Sequence, residues 1–116
     1  MPHTLDDLTL ALRAFAEERD WEQFHSPKNL AMALAGEGGG LLEHFQWKTQ
    51  GESAELEDED RPEVEDEMAD VLLYLVRLAD KLDVDLLAAA ERKMAKNEAK
   101  YPADVVRGSS KKYTEY

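Results

Sequence analysis

Apolar residues recur along this chain at spacings of three and four, and no stretch sustains the alternation by two that marks a half-buried strand, so the pattern predicts an all-α fold. A first helix is predicted from about Thr4 to Glu18, with Leu5, Leu8, Leu12 and Phe15 on one face. Thr4 is placed to cap it, and Asp6 and Asp7 complement the positive end of the helix dipole. Ser26 followed by Pro27 gives the second helix its start, because proline at the first helical position gives up an N–H that would have no partner anyway. Its apolar face reads Leu30, Leu34, Leu41 and Phe45, running to about Trp47. Gly36, Gly38, Gly39 and Gly40 interrupt it, and each glycine costs a helix about 1 kcal/mol relative to alanine. They predict local weakness or a close approach of another group.

From Lys48 to Arg61 the chain is polar and acidic and reads as a solvated loop. Pro62 then opens a third helix with Val64, Met68, Val71, Leu75, Leu78 and Leu82 turned inward. A turn at Asp83 to Asp85 leads to a fourth, from about Leu86 to Lys100, carrying Leu87, Ala90 and Met94, and Pro102 stops it. The prediction is a four-helix bundle-type domain over residues 1–103, with an acidic loop at about 48–61 and a flexible tail over 104–116.

Composition narrows the function. A formal charge of −12 opposes binding to a nucleic-acid polymer, whose backbone calls for clustered Lys and Arg. It leaves room for a small phosphorylated ligand, because divalent cations reverse the local sign where carboxylates converge. With no cysteine, disulfides, thiolate metal sites and a cysteine nucleophile are excluded. No run approaches the roughly 20 apolar residues of a membrane span, and the acidic start MPHTLDDLTL lacks the basic opening of a signal peptide. The expectation is a cytoplasmic protein without a membrane partner.

The informative feature is acid in an apolar register. Glu37 falls in line with Leu30, Leu34 and Leu41, and Glu67 with Val64, Val71, Tyr74 and Leu78; Asp70 lies one turn beyond Glu67. Buried carboxylates are costly without partners, and two helices turning acid towards one interior offset that cost by holding a cation. The oxygen-only set favours Mg²⁺ over Zn²⁺. The alternative is an ordinary solvated face, since acids spaced by three are common in a chain with 26 of them; Glu63, Glu65 and Asp66 fit that description. Trp21, His25 and Trp47 flank the second helix and Tyr74 follows Asp70, so they could line a pocket for a base or simply pack. Lys93 and Asn97 with Lys100 form a stripe on the fourth helix that suits phosphates or a soluble face.

The segments FAEERDWEQFHSPKNLAMALAGE, LLEHFQW, EVEDEMADVLLYLVRLADKLDVDL and KMAKNEAKYP together resemble the MazG-like all-α nucleoside triphosphate pyrophosphohydrolases, and within them the small dCTP pyrophosphatases, over roughly residues 8 to 103. That resemblance implies a Mg²⁺ site formed by an E-x-x-E pair and a later E-x-x-D pair, which carries Glu37, Glu67 and Asp70 over as catalytic and metal-binding residues. It implies that Trp21, His25, Trp47 and Tyr74 shape the base pocket and that Lys93 and Asn97 lie near the phosphates. The implied reaction is Mg²⁺-dependent hydrolysis of a nucleoside triphosphate, a pyrimidine deoxynucleotide such as dCTP, to the monophosphate and pyrophosphate. A homodimer or homotetramer is implied as well.

One position departs from the pattern: Gly40 stands where the family has its second glutamate. A lost carboxylate predicts weaker metal binding and slower turnover, and Glu43, three residues on, could replace it only with backbone adjustment. The alternative function is a nucleotide-binding or regulatory helical protein without chemistry.

Overall fold

The computed structural model describes residues 1–110 and 113–115. It is all-helical: α1 (Leu5–Glu18), α2 (Pro27–Glu43), α3 (Gln50–Ala54), α4 (Arg61–Lys81), α5 (Leu86–Lys100) and α6 (Ala103–Val106), with 3₁₀ turns at Glu22–Phe24 and Tyr113–Glu115. The chain divides into two compact units, residues 1–83 and 84–116.

Local chemistry accounts for most helix ends. The hydroxyls of Thr4 and Ser26 accept from the backbone N–H groups of Asp7 and Asn29, and the Asp85 carboxylate accepts from that of Ala88, each satisfying a donor the helix start leaves free. At the end of α1, Asp20 takes a left-handed φ of 55°. The N–H groups of Asp20 and Trp21 then bond back to the carbonyls of Glu17 and Ala16, at 3.1 and 2.9 Å. This pair of bonds closes the helix and turns the chain into the 3₁₀ segment that carries Glu22 towards α4. Asp83, with φ of 54°, ends α4 in a related way, its N–H bonding to the carbonyl of Asp80 at 3.2 Å.

In the first unit, α4 is the central element, packing chiefly against α2 and over a smaller area against α1. Among the described residues, the buried apolar ones are Ala16 of α1, Leu30 of α2, and Val64, Val76 and Ala79 of α4. Arg77 is buried among them. In the second unit, α5 has no buried residue, and Leu87 and Met94 are exposed.

Several expectations change. The four glycines do not break α2, which runs through all of them, because leucines on either side hold its inner face against α4. The helix ends at Glu43 rather than near Trp47, giving way to a bond from the His44 N–H to the Leu41 carbonyl. The acidic loop contains α3, started by a capping box: Thr49 accepts from the Glu52 N–H while the Glu52 carboxylate accepts from the Thr49 N–H. The tail includes α6, so the count is six helices rather than four among the described residues; Lys111, Lys112 and Tyr116, within the expected flexible tail, lie outside the described residues. Finally, Met68, Leu75 and Leu82, expected to face inward, are exposed. Their helix, α4, is apolar over a wider arc than α2 and α1 cover in the first unit.

Candidate functional site

Glu37 lies in the middle of α2, Glu67 and Asp70 one turn apart in the first half of α4. Packing of the two helices brings the three together: one carboxylate oxygen from each lies within 4.8 Å of the others, and all three side chains are half-buried. Oε2 of Glu67 is buried and accepts no hydrogen bond. Burying an unpartnered carboxylate oxygen is costly, so this arrangement calls for a cation or a proton. The Glu37 carboxyl shows the same demand. Its contact with Glu67, a hydrogen bond only when a proton is shared, pushes its pKa upward, with burial and the neighbouring charge adding to the shift. An oxygen-only donor set of this kind fits a hard divalent cation.

Gly40 is part of this geometry. A Cβ built on it would lie 2.7 Å from Oε1 of Glu67 and 3.0 Å from Oε2. Glu67 therefore extends into the space that a side chain at position 40 would use. Beyond it opens a cleft of about 380 Å³ lined by Gly40, Glu43, His44, Glu63, Asp66, Glu67 and Asp70. Glu63 and Asp66, read from the sequence as solvent-facing, belong to the wall of this cleft. His44 was not singled out, although its position four residues after Gly40 puts it on the same face.

The expected base-side residues separate into two groups. Trp21 and His25 are neighbours, with ring centroids 6.3 Å apart, and Phe15 packs edge-on against Trp21 at 5.7 Å. Tyr74 lies on α4 one turn after Asp70 and is half-buried, whereas Trp47 is 88% exposed beyond the end of α2. Lys93 and Asn97 are exposed residues of α5, in the second unit.

Sequence reasoning missed a charged network in the first unit. Arg77 donates through Nε to Nδ1 of His25 at 3.2 Å, through Nη1 to Asp80 at 3.0 Å, and through Nη2 to Glu22. Lys81 also donates to Glu22, and Arg13 holds Asp80 with two bonds of 2.7 and 3.2 Å. The network lowers the pKa of its two acids: hydrogen bonding to Lys81 is the largest cause for Glu22, and hydrogen bonding to Arg13 for Asp80. Burial, with the Arg77 charge, lowers His25. The available signal was register: Arg77 follows Asp70 and Tyr74 at seven and three residues, on the face that also carries Glu67.

An all-helical fold with two packed helices contributing a glutamate and an E-x-x-D pair is the arrangement the sequence resemblance implied, and a family model described as MazG-like matches residues 37–116. The chain belongs to the MazG-like family. It is similar to dCTP pyrophosphatase 1 of Homo sapiens, 50% identical over 114 residues that make up 97% of this chain and 67% of the human protein. The Rattus norvegicus dCTP pyrophosphatase 1 is 46% identical over the same shares of each chain. Among solved structures, a pyrophosphatase from Archaeoglobus fulgidus superposes with a TM-score of 0.81 at 43% identity, covering 88% of this chain and 95% of that one.

Proposed function

We propose that this chain is a nucleoside triphosphate pyrophosphohydrolase that cleaves a pyrimidine deoxynucleotide such as dCTP to the monophosphate and pyrophosphate, using Mg²⁺ held by Glu37, Glu67 and Asp70. The observation that carries this reading is the convergence of those three half-buried carboxylates, one with an oxygen that no protein group satisfies. Similarity to two dCTP pyrophosphatases and a third pyrophosphatase supports it, as does the family match over residues 37–116.

Bound there, Mg²⁺ would neutralise phosphate charge and favour attack by water. The protein's own part is to hold the three carboxylates in place, with a carboxylate not fully committed to the metal taking a proton from the attacking water. Trp21, His25, Trp47 and Tyr74 are the proposed base-side residues, and Lys93 and Asn97 the proposed phosphate contacts.

Gly40 makes turnover slower than a fourth carboxylate would allow. A second reading, nucleotide binding without chemistry, is favoured by the same glycine. Incubating the purified protein with each deoxynucleoside triphosphate and Mg²⁺, and resolving monophosphate and pyrophosphate by chromatography, separates the two. Release of dCMP and pyrophosphate supports the enzyme, and tight binding with no product, in the Gly40→Glu variant as well, supports the other.

Self-association into a dimer or tetramer is part of the proposal. It is supported by Met68, Leu72 and Leu75, exposed at spacings of four and three along α4. A cytoplasmic location fits the finding that no helix among the described residues is long and apolar enough to cross a membrane.

A further inference from the structure

Arginine stays protonated at any physiological pH, so the Nε–H of Arg77 always donates, and a ring nitrogen that accepts from it must carry a free lone pair. His25 Nδ1 is that acceptor, at 3.2 Å. The ring's single proton then resides on Nε2. Arg77 cannot swing away, because its side chain is 5% exposed and its other two nitrogens are held by Asp80 and Glu22. Those partners are themselves held, Asp80 by Arg13 and Glu22 by Lys81. The ring is also flanked by Trp21. No described residue accepts from Nε2, and Nε2 is not among the buried polar atoms without a partner, so it reaches solvent-accessible space.

The placement matters for the site. Glu67, Asp70, Tyr74 and Arg77 follow one another at three, four and three residues, along a single face of α4. At 1.5 Å per residue, Arg77 is about 10 Å along the helix from Asp70. That is the span from the metal-bound phosphates of a nucleotide to its base.

We propose that Arg77 is a positioning residue that fixes His25 as a hydrogen-bond donor to the base, and so selects a base whose ring nitrogen accepts. Cytosine meets this requirement at N3, whereas thymine and uracil carry a proton there and would face a second donor. The inference rests on the proposed base-side role of His25, and burial together with the Arg77 charge, which lowers the His25 pKa, favours the same neutral ring. An unpaired donor opposite N3–H is the kind of mismatch by which polar pockets reject a close analogue.

The test has two parts. Long-range ¹H–¹⁵N correlation spectra of the full chain near pH 7 report the His25 tautomer directly. The Nε2–H form is expected in the wild type, and a mixture of tautomers in Arg77→Met; a wild-type ring protonated on Nδ1 would overturn the proposal, and this requires no variant to fold. Calorimetric titration with dCTP and dTTP then reads the base preference. The wild type should favour dCTP by about tenfold, the worth of one neutral hydrogen bond, and Arg77→Met should bring the ratio close to one. In turnover, its KM for dCTP should rise more than its kcat falls. Arg77→Lys keeps the charge but not the guanidinium Nε, so it should restore folding stability without restoring the tautomer or the preference. An unchanged preference in a folded Arg77 variant would overturn the proposal. Absence of any nucleotide binding by the wild type would overturn the base-recognition role and the proposed function together, while a tautomer mixture alongside normal dCTP hydrolysis would overturn this inference alone.

Discussion

Glu67 and Gly40 share one space: the carboxylate of Glu67 lies where a side chain at position 40 would begin, 2.7 Å from the nearest point a Cβ would take. The close atoms belong to the far end of a flexible side chain, so substitution at 40 displaces Glu67 rather than the helix backbone. Gly40→Glu should therefore fold, with Glu67 turned aside and a fourth carboxylate added to the cluster. Mg²⁺ affinity measured by calorimetry should rise at least tenfold, the effect of one more charged oxygen ligand being worth about 1.4 kcal/mol or more. In the metal-free state the same variant should melt lower than the wild type, through repulsion among like charges. Equal Mg²⁺ affinity in the two proteins would separate Gly40 from the metal site.

Metal should stabilise the folded chain. Mg²⁺ at about 100 times its dissociation constant should add about 2.7 kcal/mol to the unfolding free energy, read from urea titrations with and without the ion. Glu67→Gln removes a ligand charge and its repulsion with Glu37, and supplies an amide that can donate to the Glu37 carboxylate, so it should reduce this increment sharply while leaving the metal-free protein as stable as before or more so. A full Mg²⁺ increment in Glu67→Gln would show that the ion binds elsewhere.

Acid should weaken the charged network around Arg77. Asp80 and Glu22 have folded pKa values below their ordinary 3.8 and 4.5, so the unfolded chain binds their protons more readily. Their contribution is complete above about pH 5 and is lost as pH falls through the lowered values. His25, lowered from 6.5 by burial and Arg77, acts in the same direction from near pH 6.5 downward. Glu37 is raised and opposes them: its contribution is present at low pH and lost as pH rises through its folded pKa. Asp80→Asn isolates the network. At pH 7 it should cost on the order of 2 kcal/mol, as expected for hydrogen bonds to a charged group, and the difference from wild type should shrink as pH falls below the ordinary 3.8 through the lowered pKa of Asp80. A pH-independent difference in denaturant midpoint would contradict the assignment.

Two helix caps of similar chemistry should differ in reach. Ser26 caps α2, which packs on α4 and carries Glu37, so Ser26→Ala should lower global stability by about 1 kcal/mol. Thr49 caps α3, which has no buried residue, so Thr49→Ala should leave the global midpoint nearly unchanged. Faster amide exchange confined to residues 49–55 would mark the local opening. A global loss in Thr49→Ala equal to that in Ser26→Ala would show that α3 is integral to the core.

The helix starts at Thr4 and Ser26 were legible in the sequence because a cap acts on backbone groups three residues away. The same local rule was available at Thr49 and Glu52, and the acidity of the surrounding segment obscured it. Glu37, Glu67 and Asp70 could be singled out because acid in an apolar register is visible along one strand of text. What periodicity describes is the face a residue shares with its own helix; it carries no information about which group lies opposite. The tertiary structure decided that Glu67 fills the gap at Gly40 and that Arg77 is enclosed by Glu22, His25 and Asp80. It also decided that Met68 and Leu75 stay exposed although their spacing turns them inward. Each of these outcomes depends on the separation and rotation of packed helices, set by side chains distant in sequence acting on one another at a few ångströms.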